Sequence, residues 1–176
     1  DIPVLNVIDP CITVAVNNTR TNYLGVIGTK TTISSQAYVK KIHAINKKII
    51  VYSKECPLFV PIIEESLSNH SIANIAAQLY LKKIPKEVDT LILGCTHYPL
   101  IKRTIQNNVS SNISILDSSI IVADHVKEYM IQNSLLNQEH LKGKNNFYIS
   151  DDVKKFENSI VSIMNAFNCK IKKVDL

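Results

Sequence analysis

Leu91–Leu100, LILGCTHYPL, is the stretch from which the rest of the chain is read. Val88, Thr90, Leu91, Ile92 and Leu93 have the apolar continuity of a buried strand. Gly94 closes it, and Cys95, Thr96 and His97 follow without a break. Pro99 stands where a first helical turn tolerates proline, and Leu100, Ile101 and Ile105 continue with helical spacing. The pattern places a thiol at the carboxyl end of a strand and the amino end of a helix. Open α/β sheets bind ligands there, and the free N–H groups of a helix start favour a thiolate over a thiol. The local pattern leaves a second reading open, an inert Cys95 buried at a strand end, because free cysteine is among the most buried residue types.

Outward from this stretch, strand and helix alternate. Upstream, Tyr23–Thr29 reads as a strand ending in a Gly-Thr corner. A helix follows it, with Ile33, Ala37, Val39 and Ile42 as its apolar face and Asn46 as its end. Lys48–Ser53 is a further strand. In CPLFVPIIEE, from Cys56 to Glu65, two prolines argue against regular helix before Pro61. Ser71–Lys83 reads as a helix burying Ile72, Ile75, Ala76 and Leu79, capped by Asn69 or Ser71, with His70 in the preceding loop. Downstream, Ile113–Asp117 is a strand, and Asp117-Ser-Ser119 caps a helix to about Gln132. Residues 133–146 read as an exposed connection and Phe147–Ile149 as a short strand. A helix then runs through Phe156, Ile160, Ile163, Met164 and Phe167, and Lys170–Leu176 is a final edge strand. At the start, Ile2–Ile8 reads as a strand, Asp9 as an N-cap and Pro10 as a first-turn proline. Cys11, just inside that helix, reads as a packed core residue. The alternation predicts an α/β fold with a largely parallel sheet.

Composition sets outer bounds. Hydrophobic residues are 45% of 176 and charged residues 20%, enough to bury an ordinary core. The net charge of +5 is Lys-rich and dispersed, without the aromatic interleaving of a nucleic-acid surface, so no nucleic-acid partner is expected. The four cysteines, at 11, 56, 95 and 169, form no C-x-x-C pair and no zinc spacing. They read as reduced thiols in a cytoplasmic protein, with no metal site. No apolar run is long enough for a membrane span.

GCTHYP (residues 94–99) resembles the second cysteine motif of the glutamate racemases, within the aspartate/glutamate racemase superfamily. GVIGTKTTISSQAY is similar to that family's Gly-Thr-x-x-Thr segment, and CPLFVPIIEE to its Cys-Pro-Leu-Phe-Val-Pro motif. The strand with its Asp-Pro turn near residue 9 and the Asp-Ser corner at 117–118 are similar as well, while Cys11 departs from the small residue usual at its place.

The resemblance covers essentially the whole chain and corresponds to the later part of the family's length. It implies a three-layer, parallel-sheet α/β domain of the aspartate/glutamate racemase type, plus a C-terminal portion of a second, similar domain. Residues 1–11 would end the first half of domain 1, residues 12–116 would be domain 2, and residues 117–176 would return to domain 1. The chain opens at Asp1 with no Met, which also fits a piece of a longer protein.

The implied activity is interconversion of L- and D-glutamate by two cysteines on opposite faces of the α-carbon, without a cofactor, supplying D-glutamate for peptidoglycan. Cys95 matches the second catalytic cysteine, His97 would assist it, and Glu64, with Glu65 as the weaker candidate, would tune His97. Thr29, Thr32 and Thr96 would bind substrate; for Thr29 and Thr32 plain helix capping is the competing reading. The match to the first catalytic cysteine is not found, so the chain alone is expected not to racemise. A small-molecule substrate, glutamate, is the implied partner, and a homodimer is one state the resemblance allows for the complete protein.

Three other readings stay open. One is an aspartate or broad-specificity amino-acid racemase, against which His97 argues. Another is a hydrolase using Cys95 and His97, for which two positions on a strand-to-helix turn is a poor spacing. The last is a non-catalytic binding domain.

Overall fold

The computed structural model describes residues 2–137, 145–154, 156 and 169–175. The chain divides into two compact units, Asp1–Ser134 and Leu135–Leu176.

The first unit runs α1 (Ile8–Asn18), β1 (Tyr23–Gly28), α2 (Lys30–Ser34), α3 (Ala37–Ile45), β2 (Ile50–Glu55), α4 (Phe59–Glu64), α5 (Ser71–Leu81), β3 (Thr90–Leu93), a 3₁₀ turn (Tyr98–Ile101), α6 (Lys102–Gln106), β4 (Ser114–Leu116) and α7 (Ser118–Gln132). Its four strands form one wholly parallel sheet in the order β2-β1-β3-β4. In the central pair, Leu24 opposes Thr90 and Ile27 opposes Leu93. The fold is α/β with a parallel sheet, and its strand alternation builds two cores. Ile27, Leu91 and Leu93 face α4, α5 and α6, while Leu24, Val26 and Ile92 face α1 and α3. Both faces of β3 are covered, which is why TLIL reads as one apolar run.

Several local expectations change. Residues 2–6 are not a strand; among the described residues no strand pairs with them, and unpaired N–H and C=O groups leave no ladder to hold one. Helix α1 starts at Ile8 and is capped from outside by Asn6, whose Oδ1 accepts from the N–H groups of Ile8 and Asp9 at 3.1 and 2.8 Å. Asp9 sits in the first turn instead and pairs with Lys41 of α3. The helix expected after β1 breaks in two at Gln36, which takes a left-handed conformation at φ 57°. Pro61 lies inside the first turn of α4, where its missing N–H costs nothing, so that helix begins earlier than expected.

The face of α5 is also turned. Ala73, Ala76, Ala77, Tyr80 and Leu81 are buried, whereas Ile75 and Leu79 are 61% and 65% exposed. His70 caps this helix, its Nδ1 accepting from Ile72 N–H at 3.3 Å.

In the second unit β5 (Asn145–Ile149) pairs in parallel with β6 (Cys169–Lys173), and the rings of Phe147 and Phe156 stand 6.0 Å apart. The helical positions expected at Ile160, Ile163, Met164 and Phe167 lie outside the described residues.

Candidate active site

The strand order places a crevice by topology. From β1 the chain crosses to β2 on one side, while β3 lies on the other, so the direction reverses between β1 and β3. Open α/β sheets bind ligands beyond the carboxyl ends of the strands at such a point. Two of the sequence-derived segments end there: Gly28-Thr29 after β1 and Gly94-Cys95 after β3. They are joined where Gly94 N–H donates to Ile27 O at 2.8 Å. The approach is too close for a side chain, since a Cβ at residue 94 would meet Ile27 O at 2.9 Å and Tyr38 Cε2 at 3.3 Å. Glycine at 94 is therefore a packing requirement of the site.

Beyond Gly94 the chain makes a turn, with Tyr98 N–H donating to Cys95 O at 3.1 Å, and a 3₁₀ segment follows. A regular α-helix comes only at Lys102, so the helix start expected to face Cys95 is displaced by about two turns of chain. The turn folds His97 back onto Cys95: Sγ and Nδ1 lie 3.9 Å apart, long for a sulfur hydrogen bond. On the far side of the ring, Nε2 is 3.4 Å from Glu64 Oε1. Cys95, His97 and Glu64 are thus in one line. With Nε2–H directed at the carboxylate, Nδ1 presents its lone pair to the thiol.

Buried aromatic contacts bring Glu64 and His97 together. Tyr98 O–H donates to Cys56 O at 3.0 Å, tying the GCTHYP turn to the CPLF segment. Phe59 packs edge-on between two tyrosine rings, with Tyr98 at 5.2 Å and Tyr80 at 5.4 Å. Tyr80 O–H in turn accepts from Leu58 N–H at 3.2 Å, fixing the entry to α4.

Thr29 and Thr32 lie after β1 and bond each other, Oγ1 to Oγ1 at 3.0 Å, while Thr29 Oγ1 also accepts from Thr32 N–H at 3.3 Å. The capping reading thus describes what these hydroxyls do in the structure. Thr96 is exposed beside Cys95. Cys95 and Thr96 line a cavity of about 170 Å³ with Tyr38, Gly94, Ser118 and Ser119. Tyr38 is not among the residues that the sequence singles out.

Two other cysteines of the first unit differ in kind. Cys11 and Cys56 are fully buried, and burial pushes their thiols up to about 11 and about 12 respectively. Both are neutral at physiological pH, whereas Cys95 is reachable from solvent. Among the described residues there is no group of three or more His, Cys, Asp or Glu side chains able to hold a metal ion, and no helix is long and apolar enough to cross a membrane.

Residues 1–126 match the family described as Asp/Glu/Hydantoin racemase. The chain belongs to that family. Among curated relatives, the glutamate racemase of Syntrophus aciditrophicus is 40% identical over 157 residues, which is 89% of this chain and 58% of that protein. That of Thermoanaerobacter sp. strain X514 is 44% identical over 134 residues, 76% of this chain and 50% of that protein. The chain therefore spans between a half and two thirds of the length of these racemases.

Solved racemase structures agree in fold. Glutamate racemase of Francisella tularensis, solved in complex with D-glutamate, superposes with a TM-score of 0.89 at 33% identity, over 99% of this chain and 64% of that one. Isoform RacE1 of Bacillus anthracis gives 0.91 at 30% identity, over 100% of this chain and 66% of that one.

Proposed function

We propose that Cys95 is one of two bases in a cofactor-independent racemisation of glutamate. The observation that carries this is the line Cys95–His97–Glu64 at the switch point of a racemase-family sheet, ending on a cysteine that solvent reaches. The thiolate of Cys95 removes the α-proton of L-glutamate and becomes a thiol. His97 Nδ1 keeps that sulfur supplied with a proton acceptor, and Glu64 holds the tautomer in which it can do so. The carbanion-like transition state needs fixed donors on the carboxylate and a dry site. Thr29, Thr32 and Thr96 are the hydroxyls proposed for that work.

The acid that returns a proton to the opposite face is a second residue. Cys11 and Cys56 are unsuited to that task, being fully buried. Residues 12–116 then make up the domain that carries Cys95, and residues 1–11 and 117–176 belong to the family's other domain. A D-glutamate product points to a role in supplying peptidoglycan precursors.

The test is α-proton exchange followed by NMR in D₂O, with L- and D-glutamate offered separately. Exchange of the L-enantiomer without inversion is expected of this chain, and exchange with inversion when the second base is supplied on a longer chain. No exchange from a folded sample of either would overturn the proposal, and exchange with L-aspartate alone would move it to the aspartate branch.

A further inference from the structure

Tyr38 belongs to the core cluster that holds Cys11, Ile42 and Ile92, and it also borders the site. It comes from the first turn of α3 and is 6% exposed. Its ring packs over the backbone just before Cys95: a Cβ at residue 94 would lie 3.3 Å from Cε2 and 3.5 Å from Cζ, the carbon that bears the hydroxyl. Among the described residues its hydroxyl makes no hydrogen bond to the protein, although the hydroxyls of Tyr98 and Tyr80 both make one, and it is not sealed from solvent. A phenol hydroxyl left uncommitted beside a cavity can donate to a group that becomes charged there. Tyr38 lines the same cavity of about 170 Å³ as Cys95.

We propose that Tyr38 is a positioning residue for Cys95, its hydroxyl donating a hydrogen bond across the cavity to the thiolate when the proton leaves the sulfur. This rests on Cys95 acting as a base. A donor placed against a developing thiolate favours the charged form. The phenol is suited to donate and never to compete for the proton, because burial, with smaller contributions from Cys11 and Cys95, pushes it up to about 12.

The charged and titratable groups around the pair are few. His97 and Glu64 face Cys95 along the turn, and Tyr98 is buried behind it, linked to Cys56. Cys11 approaches Tyr38 from α1, and Asp117, bonded to Ser119 and Lys102, caps α7 at the cavity's edge. Of these only Tyr38 brings an uncommitted donor.

The experiment is the pH–rate profile of Cys95 alkylation by iodoacetamide, followed by peptide mass mapping so that the other cysteines do not count. It is run on the unaltered chain, on Tyr38→Phe, and on Tyr23→Phe as a control that loses a phenol hydroxyl at the amino end of β1. The midpoint is expected to move up by about one pH unit in Tyr38→Phe, as befits a lost bond to a charged acceptor, and to stay in place in Tyr23→Phe. An unmoved midpoint in Tyr38→Phe, or an equal move in both, overturns the inference.

Should Tyr38→Phe not fold, the unaltered chain decides. A tyrosine ¹³Cζ resonance should titrate with Cys95 and cease to do so in Cys95→Ala, and the lack of one overturns the inference. Glutamate exchange that persists in Cys95→Ala would instead overturn Cys95 as the base, a result independent of the alkylation shift.

Discussion

Cys95 differs from Cys11 and Cys56 by its neighbours, not by its type. All three sit near strand ends or helix starts, but two are sealed in apolar cores, where ionisation would strand a charge. Cys95 has an imidazole 3.9 Å away, and that imidazole has a carboxylate 3.4 Å behind it. Removing the carboxylate leaves the ring free to take either tautomer. Glu64→Ala is accordingly expected to slow α-proton exchange by about 10–100-fold, the usual effect of losing a group that orients a reactive imidazole, with little change in melting temperature. Glu64→Gln retains an acceptor for Nε2–H and should lose about tenfold or less. A Glu64→Ala variant exchanging at the original rate would remove the carboxylate from the mechanism; the comparison is made by initial rates in D₂O. Cys95 and His97 were legible in sequence because they stand two residues apart in one turn of a recognisable motif, and Glu64 because its segment has one as well. Tyr38 was not, since only the pairing of β1 with β3 brings the helix after one against the loop after the other.

Elements show where local rules yield to packing. Apart from the strand expected at Ile2–Ile8, the order of helices and strands in the first unit followed from periodicity and from the prolines and polar caps. The face of α5 did not. Its apolar residues occur on more than one side, and the sheet selects the small ones, Ala73, Ala76 and Ala77, which allow close approach, leaving Ile75 and Leu79 outside. The break between α2 and α3 was equally hidden, because it rests on a non-glycine residue in left-handed backbone. Gln36 at φ 57° makes one weak local bond, Nε2–H to Ile33 O at 3.2 Å. Gln36→Gly should relieve the Cβ clash and stabilise the unit by about 1 kcal/mol, read as a higher urea midpoint with an unchanged m-value. A lowered midpoint would mean that the bond, or the glycine's own entropy, outweighs the strain. Phe59, wedged between Tyr80 and Tyr98, links the stability of α4 to the geometry of the site. Phe59→Leu keeps most of the volume but loses both edge contacts, at a cost of about 1–3 kcal/mol. Because Phe59 also sets Glu64 against His97, exchange should fall in a variant that circular dichroism still reports as folded; an undiminished rate would show that the site is positioned by other means.

For the first unit as a whole, the active end and the stabilising end of the sheet are opposite. Cys95, Thr29 and the cavity lie beyond the carboxyl ends of the strands, whereas Asp89 stands at the amino end of β3 and ties the chain entering β1 to it. Its carboxylate accepts from the N–H groups of Arg20 and Thr21 at 2.7 and 2.9 Å and from Thr90 Oγ1 at 2.9 Å. Burial alone would raise this carboxyl, but the bonds from Thr21, Arg20 and Thr90 bring it down from 3.8 to about 2. The folded state therefore binds the proton more weakly than the unfolded chain does. The resulting stabilisation is fully present above the unfolded value and is lost as pH falls from near 4 to near 2. Asp117 is lowered as well, with burial opposing and Ser119 and Lys102 prevailing, so it adds in the same direction. Asp89 is partly open to solvent, and its share is expected to be about 1 kcal/mol once screening is allowed for. Asp89→Asn should thus destabilise the protein by about that amount at pH 7 and by almost nothing at pH 2, as read from urea unfolding at the two pH values. An equal loss at both would assign the effect to packing instead of charge. Because the residue is at the end of the sheet remote from Cys95, the same variant should leave the alkylation profile of Cys95 in place, separating what holds the sheet together from what works at its other edge.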